Sequence, residues 1–342
     1  MYTSDKNTDC LPVDLEAVRS AQRAIRDLAV ETPLLRADSL SEISNMAVHL
    51  KLETLQPTGS FKIRGAANLI SRLPKEWRGR TVVCASTGNH GRAVAYAARA
   101  LGYRAIVCLS SLVPKVKEDA IAALGAETRR VGTSQDDAMA EAAVLVRDEG
   151  CIPVPPFDHP DIVAGQGTIG LELIAAVPDL ASVIVPLSGG GLIAGIATAV
   201  KALRPGVQVI GVSMERGAAM QASLAAGRPV EVVEEPTLAD SLGGGIGLDN
   251  RFTFPLCRHL VDRVVLVSEI DIYRAISHLF RCYGLVTEGA GAVGAAALLS
   301  GRLSEIAGST VVVVSGRNID PDQFLTIAAG KPVEVGSQVI RG

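Results

Sequence analysis

Aromatic residues are scarce in this chain. They make up 4% of its 342 residues, too few for the stacking platforms that hold bases or sugar rings. Excess charge of either sign is missing as well. Lys plus Arg number 33 against 36 Asp plus Glu, a formal net charge of -3, which excludes a polycationic surface for nucleic acid or anionic lipid. The six cysteines (Cys10, Cys84, Cys108, Cys151, Cys257 and Cys282) form no C-x-x-C pair. Neither a zinc knuckle nor a disulfide framework is expected from them; they read as reduced thiols in a cytoplasmic protein. The first ten residues lack the basic-then-apolar pattern of a leader peptide, so none is expected. Long apolar runs are missing too. The most apolar long window, 182–200, is broken by Pro186 and by Gly189-Gly190-Gly191, and it reads as strand, turn and helix, with no membrane span.

What the chain does have is 48% hydrophobic and 20% charged residues, the composition of a well-cored protein of about two domains. Short β-branched runs at 81–84, 105–108, 183–185, 207–212 and 310–314 alternate with stretches of helical period at 90–101, 115–124 and 134–148. Continuous apolar strands of this kind need cover on both faces, which predicts an α/β fold with mostly parallel sheets. The proline-rich stretch 151–157 reads as a crossing between two units. The expected division is a large domain from 1–78 and 157–342, with a smaller inserted domain at 79–156.

The chain also has 34 glycines, and many cluster where strands give way to helices. In α/β sheets ligands sit at such places, beyond the carboxyl ends of strands. Three loops qualify: Ala85-Ser86-Thr87-Gly88-Asn89-His90-Gly91, Leu187-Ser188-Gly189-Gly190-Gly191-Leu192 and Val314-Ser315-Gly316-Arg317-Asn318. Three glycines in a row either make a tight, closely packed turn or let backbone N–H groups converge on an anion at a helix start. A phosphate is the natural guest. The same loop also fits G-x-G-x-x-A, with Glu215 after the next strand, so an NAD-binding oxidoreductase is a competing reading.

Lys62 bears on that choice. Ser60 reads as the N-cap of a helix that begins just before the apolar run 66–73, which places Lys62 in its first turn. A cation there opposes the helix dipole. It is either a lysine reaching for solvent or an amine whose pKa is lowered by the helix end and by nearby Arg64, suited to Schiff-base chemistry. A reactive lysine together with a phosphate cup is what pyridoxal phosphate requires.

Four blocks carry a resemblance: Ser60-Phe61-Lys62-Ile63-Arg64-Gly65-Ala66, Ser86-Thr87-Gly88-Asn89-His90-Gly91, Ser188-Gly189-Gly190-Gly191-Leu192 and Ser315-Gly316-Arg317-Asn318. In that order, over nearly the whole chain, they resemble the signature blocks of the threonine dehydratase and serine racemase family, fold-type II pyridoxal phosphate enzymes. Val286-Thr287-Glu288-Gly289-Ala290-Gly291-Ala292 is similar to the dehydratase branch. Leu238-Ala239-Asp240-Ser241-Leu242-Gly243-Gly244-Gly245-Ile246-Gly247-Leu248-Asp249-Asn250 looks closest to the hydroxyectoine utilisation dehydratases.

The resemblance implies a tryptophan synthase β-like fold of two open, mostly parallel sheets flanked by helices, assembled as a homodimer or homotetramer. It implies a pyridoxal phosphate-dependent lyase acting on a β-hydroxy α-amino acid: threonine, serine or a hydroxyectoine derivative. By the same resemblance Lys62 carries the cofactor and moves the Cα proton. Phe61 and Asn89 flank the ring, with Asn89 on its 3-hydroxyl. Ser188, Gly189, Gly190, Gly191 and Leu192 hold the phosphate, and Ser315 faces the ring nitrogen. Ser86, Thr87 and His90 bind the substrate carboxylate.

Three departures stand out. Thr87 occupies the place of the racemase's second serine, which keeps serine or threonine racemisation as an alternative. A racemase-like divalent cation would use Glu215, the Ala219 carbonyl and a carboxylate where this chain has Gln221, so Glu215 and Ala219 are left as the candidates of an incomplete set. Arg317 replaces a usual glycine beside Ser315. The cluster Gly243-Gly244-Gly245 receives no role.

Overall fold

The computed structural model describes residues 11–86, 88–113 and 115–342, so the expectations for Cys10 and Thr87 lie outside the described residues. The chain begins with α1 (Leu15–Ile25), β1 (Leu34–Arg36), α2 (Asp38–Ser44), β2 (Val48–Leu52) and α3 (Lys62–Ser71). A second stretch alternates strictly: β3 (Thr81–Ala85), α4 (Asn89–Leu101), β4 (Arg104–Leu109), α5 (Lys115–Ala122), β5 (Glu127–Arg130), α6 (Gln135–Glu149) and β6 (Ile152–Pro153). The third contains α7 (Pro160–Ala176), β7 (Leu180–Pro186), α8 (Gly191–Leu203), β8 (Gln208–Met214), α9 (Ala219–Ala226), α10 (Thr253–Leu260) and β9 (Arg263–Val267). It continues with α11 (Glu269–Tyr283), α12 (Gly289–Leu299), β10 (Ser309–Val314) and α13 (Pro321–Ala328), and closes on a hairpin of β11 (Val333–Val335) and β12 (Gln338–Ile340).

Two open sheets result, as the α/β pattern predicts. One has the order β1-β2-β10-β7-β8-β9, parallel except for β1, and the other the order β5-β4-β3-β6, parallel throughout. β10 lies inside the larger sheet and is buried along its whole length. Its side chains alternate: Val312 and Val314 join the core that includes Val293 and Ala296 of α12, while Val311 and Val313 join the core that includes Ile193 and Ala197 of α8. That two-sided burial, at about 1.5 kcal/mol or more per valine, is why the run reads as apolar without alternation. The proline-rich crossing is not wholly irregular. Ile152 and Pro153 pair with Val82 and Val83 as a parallel edge strand, a place where proline is tolerated because one side of the strand needs no donor. Among the described residues no helix is long and apolar enough to cross a membrane.

A buried ion cluster ties these layers together. Arg64 of α3 is 2% exposed. Its guanidinium donates to both carboxylate oxygens of Glu53, just after β2, at 2.8 Å each, and to both of Glu172 on α7 at 2.5 and 3.0 Å. Thr168 and the Val30 carbonyl accept further N–H bonds. Lys51 of β2 completes the set, 2.5 Å from Glu172. Burial by itself would raise the pKa of Glu53, but Arg64 outweighs it and holds the carboxyl below its ordinary range. Two cations and two carboxylates, each satisfied, can remain buried; one partner removed leaves an uncompensated charge. Arg64→Met is therefore expected to destabilise the fold by about 3–5 kcal/mol in urea unfolding. Arg64→Lys should also destabilise it, because an ammonium cannot fork to two carboxylates; a lysine variant as stable as the parent would contradict this account.

Candidate active site

Lys62 is the first residue of α3, but Ser60 is not its cap. The cap position falls on Phe61, without a side-chain hydrogen bond. Ser60 is drawn instead into an antiparallel bridge with Gly316, and the Phe61 N–H donates to the Ser315 carbonyl at 3.0 Å. This pairing extends the backbone one residue too early for Ser60 to turn back on the helix, and its hydroxyl is buried without a partner. It also stitches the start of α3 to the end of β10. The Lys62 amine donates to the Pro156 carbonyl at 2.8 Å and lies 5.4 Å from the centre of the Phe61 ring. Its pKa falls from 10.5 to about 8 because it is buried, with Glu288 pulling the other way. Arg64, expected to lower it, is neutralised by Glu53 and Glu172; burial is the cause.

The residue after Pro156 leads to the glycine loop. A Cβ on Gly189 would come within 2.4 Å of the Phe157 ring, and one on Gly191 within 3.1 Å of Phe157. Gly190 has φ +87°, and a Cβ there would meet Met220 at 2.8 Å and Cys257 at 2.9 Å. The loop is thus a tightly packed turn. It is also a donor surface: the N–H groups of Ser188, Gly189, Gly190, Gly191 and Leu192 have no hydrogen-bond partner among the described residues, and α8 begins without a side-chain cap. Close packing behind the loop and bare donors in front are one arrangement, and it suits a phosphate.

At the start of α4 the Ser86 hydroxyl accepts the Gly88 N–H at 3.4 Å. The backbone N–H groups of Asn89 and His90 have no partner among the described residues. The His90 ring is committed elsewhere, 2.8 Å from the Val154 carbonyl, and burial together with nearby Lys62 lowers its pKa to about 3. A neutral ring fixed in that way leaves the backbone N–H as what His90 offers a carboxylate. The Asn89 amide is held at both ends: it donates to Glu288 at 2.7 Å and accepts from Asn318 at 2.5 Å. Ser315, 2% exposed, stands just beyond β10, and its hydroxyl has no partner among the described residues. Arg317 is exposed and lines a cleft with Pro57, Arg92 and Asn318.

Glu288 received no role in the sequence, although its block was conspicuous. It is 3% exposed, precedes α12, and accepts the Asn318 N–H at 3.1 Å besides the Asn89 amide. Burial and the charge of Asp240 raise its pKa to about 7, against the bonds from Asn89 and Asn318 and the charge of Lys117. Glu215, by contrast, is far from free: its carboxylate pairs with Arg302 at 2.8 Å. That pairing weighs against a ribose there. At the neighbouring position Gln221 supplies no carboxylate to join Glu215 and the Ala219 carbonyl on a cation. The Lys62 amine, the five free donors and the Ser315 hydroxyl do fit pyridoxal phosphate.

Comparison with known proteins points the same way. A family model described as pyridoxal-phosphate dependent enzyme matches residues 25–316. A Sinorhizobium fredii protein provisionally named a threonine dehydratase is 55% identical over 308 residues, covering 90% of this chain and 93% of that protein. The L-threonine ammonia-lyase of Thermotoga maritima is 41% identical over 328 residues, covering 96% of this chain and 81% of that protein. Among solved structures, maize serine racemase superposes with a TM-score of 0.88 at 30% identity, covering 92% of this chain and 96% of that one.

The buried amine makes a prediction for the cofactor-free protein. Below pH 8 the folded chain holds an ammonium that the unfolded chain solvates freely. As pH rises from 8 to 10.5 the folded state sheds that proton first, so stability increases. Lys62→Met removes this penalty and should stabilise the cofactor-free chain by up to about 3 kcal/mol at pH 7. The gain should shrink to about 1 kcal/mol near pH 9.5. Urea unfolding at both pH values measures it; an equal gain at both would rule out this origin.

Proposed function

The chain belongs to the pyridoxal-phosphate dependent enzymes, and we propose that it is a β-eliminating lyase converting a β-hydroxy α-amino acid, threonine or serine first, to a 2-oxo acid and ammonia. One observation carries the reading. A buried amine of lowered pKa at Lys62 stands between two uncapped helix starts, one suited to a phosphate and the other to a carboxylate. The threonine-acting relatives support the substrate class.

When bound, pyridoxal phosphate supplies a ring that delocalises the electron pair left at Cα. The chain's own residues do the rest. The N–H groups from Ser188 to Leu192 hold the phosphate, and the first turn of α4, with Ser86, holds the substrate carboxylate. Asn89 has its oxygen occupied by Asn318 and one N–H by Glu288, so its second N–H is free for a ring oxygen. Phe61 flanks the ring. Ser315 offers the ring nitrogen a neutral hydroxyl, which leaves a modest electron sink suited to quick departure of a β-substituent. The Lys62 amine, partly neutral near pH 8, takes the Cα proton. The β-hydroxyl leaves as water, and a water is taken up again as ammonia is released, so the balance is amino acid to 2-oxo acid plus ammonia.

In this reading 79–156 acts as the small domain that closes on substrate, and 1–78 with 157–342 as the cofactor-holding domain, in a cytoplasmic homodimer or homotetramer. The block 238–250 supports including hydroxyectoine breakdown products among the substrates. Likeness to maize serine racemase supports a second reading, racemisation, which chiral analysis of unreacted amino acid separates from elimination. The decisive assay is a panel of β-hydroxy amino acids and hydroxyectoine products followed for 2-oxo acid and ammonia. Lys62→Ala should lose the borohydride-sensitive visible band and slow 2-oxo acid release by ~10³-fold or more. Turnover retained in that variant would refute the proposal.

A further inference from the structure

We infer that Glu288 is a positioning residue for this reaction: it fixes the direction of the Asn89 amide and serves as the counter-charge of the Lys62 amine. The inference rests on the reading of Lys62 as the reactive amine. Four polar side chains form a line across the cleft between the two sheets. Arg92 of α4 donates to Asn318 at 3.1 Å, Asn318 donates to Asn89 at 2.5 Å, and Asn89 donates to Glu288 at 2.7 Å. The second Glu288 oxygen accepts the Asn318 backbone N–H at 3.1 Å. Asn89 and Arg92 belong to the smaller sheet's first helix, whereas Glu288 and Asn318 follow strands and helices of the larger one. The line therefore exists only when both sides of the site are in place.

The carboxylate has nowhere else to go. A Cβ on Gly316 would lie 2.6 Å from its Oε1, and one on Gly289, the next residue, 2.1 Å from the Leu238 carbonyl. Backbone closes on both sides, and glycine is required at each position. The charges that act on Glu288 belong to Lys62 of α3, Arg92 of α4, Lys117 of α5, and Asp240 from the short turn at 240–242. Lys117 and Asp240 are themselves paired at 3.1 Å. Lys62 and Arg92 are both partly buried and make no salt bridge among the described residues; Lys62 bonds the Pro156 carbonyl and Arg92 the Asn318 side chain. Of the charged groups, Glu288 is the one that favours the protonated form of Lys62 against burial, beside the bond to the Pro156 carbonyl. Burial raises the carboxyl's pKa to about 7, close to the value of about 8 for the amine.

Glu288→Gln separates the two roles from packing. The amide oxygen can still accept from Asn89, but an NH2 group meets the Asn318 N–H and the counter-charge is gone. The test follows capture of pyridoxal phosphate by the cofactor-free protein at its visible band, as a function of pH, beside kcat and KM of the holoenzyme. In Glu288→Gln the midpoint of the acid limb for capture should move down by about 0.5–1 unit. Its kcat should fall about tenfold or more while KM changes little, and Glu288→Asp should restore most of the midpoint. Should Glu288→Gln fail to fold, Asp240→Asn at the exposed turn provides a second readout. Removing that nearby negative charge should lower the pH at which Glu288 ionises and move the low-pH limb of kcat downward. A capture midpoint unchanged in Glu288→Gln, or a kcat limb unchanged in Asp240→Asn, overturns the role of Glu288. A Lys62→Ala protein that keeps a borohydride-reducible band overturns the reading of Lys62 itself, which is a different result.

Discussion

Arg64 lies two residues beyond Lys62 on the same helix, and its guanidinium is fully engaged by Glu53, Glu172, Thr168 and the Val30 carbonyl. Those partners come from the end of β2, from α7 and from the chain ahead of β1, so one side chain fixes α3 against three separate stretches. Because α3 cannot slide or rotate without stranding a buried charge, the lysine at its first position keeps its place at the cleft. The cluster is also electrically balanced. Two carboxylates offset Arg64 and Lys51, and the field at Lys62 is left to burial and to Glu288. Positional rigidity and electrostatic silence come from the same four groups.

Helix starts differ in how their orphan donors are met. Asp14, Ser134, His159, Ser268 and Asp320 cap α1, α6, α7, α11 and α13, the usual remedy for orphan donors, while α2, α9 and α10 begin without a side-chain cap. The helices that begin at the site, α3, α4, α8 and α12, have no side-chain cap. Their free N–H groups are what a phosphate or a carboxylate can use. Glycine is needed at 189–191 because Phe157, Met220 and Cys257 press on the loop from behind, and the same contacts hold its donors toward the cleft.

Much of this was legible in the residues. The alternation of apolar strands with helical stretches gave the sheets because both patterns are local and periodic. Lys62 and the triple glycine stood out because each is locally unfavourable: a cation at a helix start, and three residues of maximal backbone freedom in a row. Ser60 misled because a serine before a helix looks like a cap, and only the end of β10, some 255 residues on in sequence, draws it away. Glu288 lay in a conspicuous block, but nothing local gave the residue itself a role. A glutamate before a helix is ordinary, and its partner Asn89 is 199 residues distant.

The sequence by itself therefore determined the α/β class, the positions of the strand-end loops and the chemical types brought to them. These follow from short-range periodicity and backbone preference, which act within a few residues. Tertiary structure decided the ionisation of the groups in those loops. Lys62 is lowered by burial and not by Arg64; Glu288 becomes the hub between Asn89 and Asn318, with its own pKa raised by burial. Desolvation and charge pairing depend on what the fold packs around a group, and the packed neighbours come from distant parts of the chain.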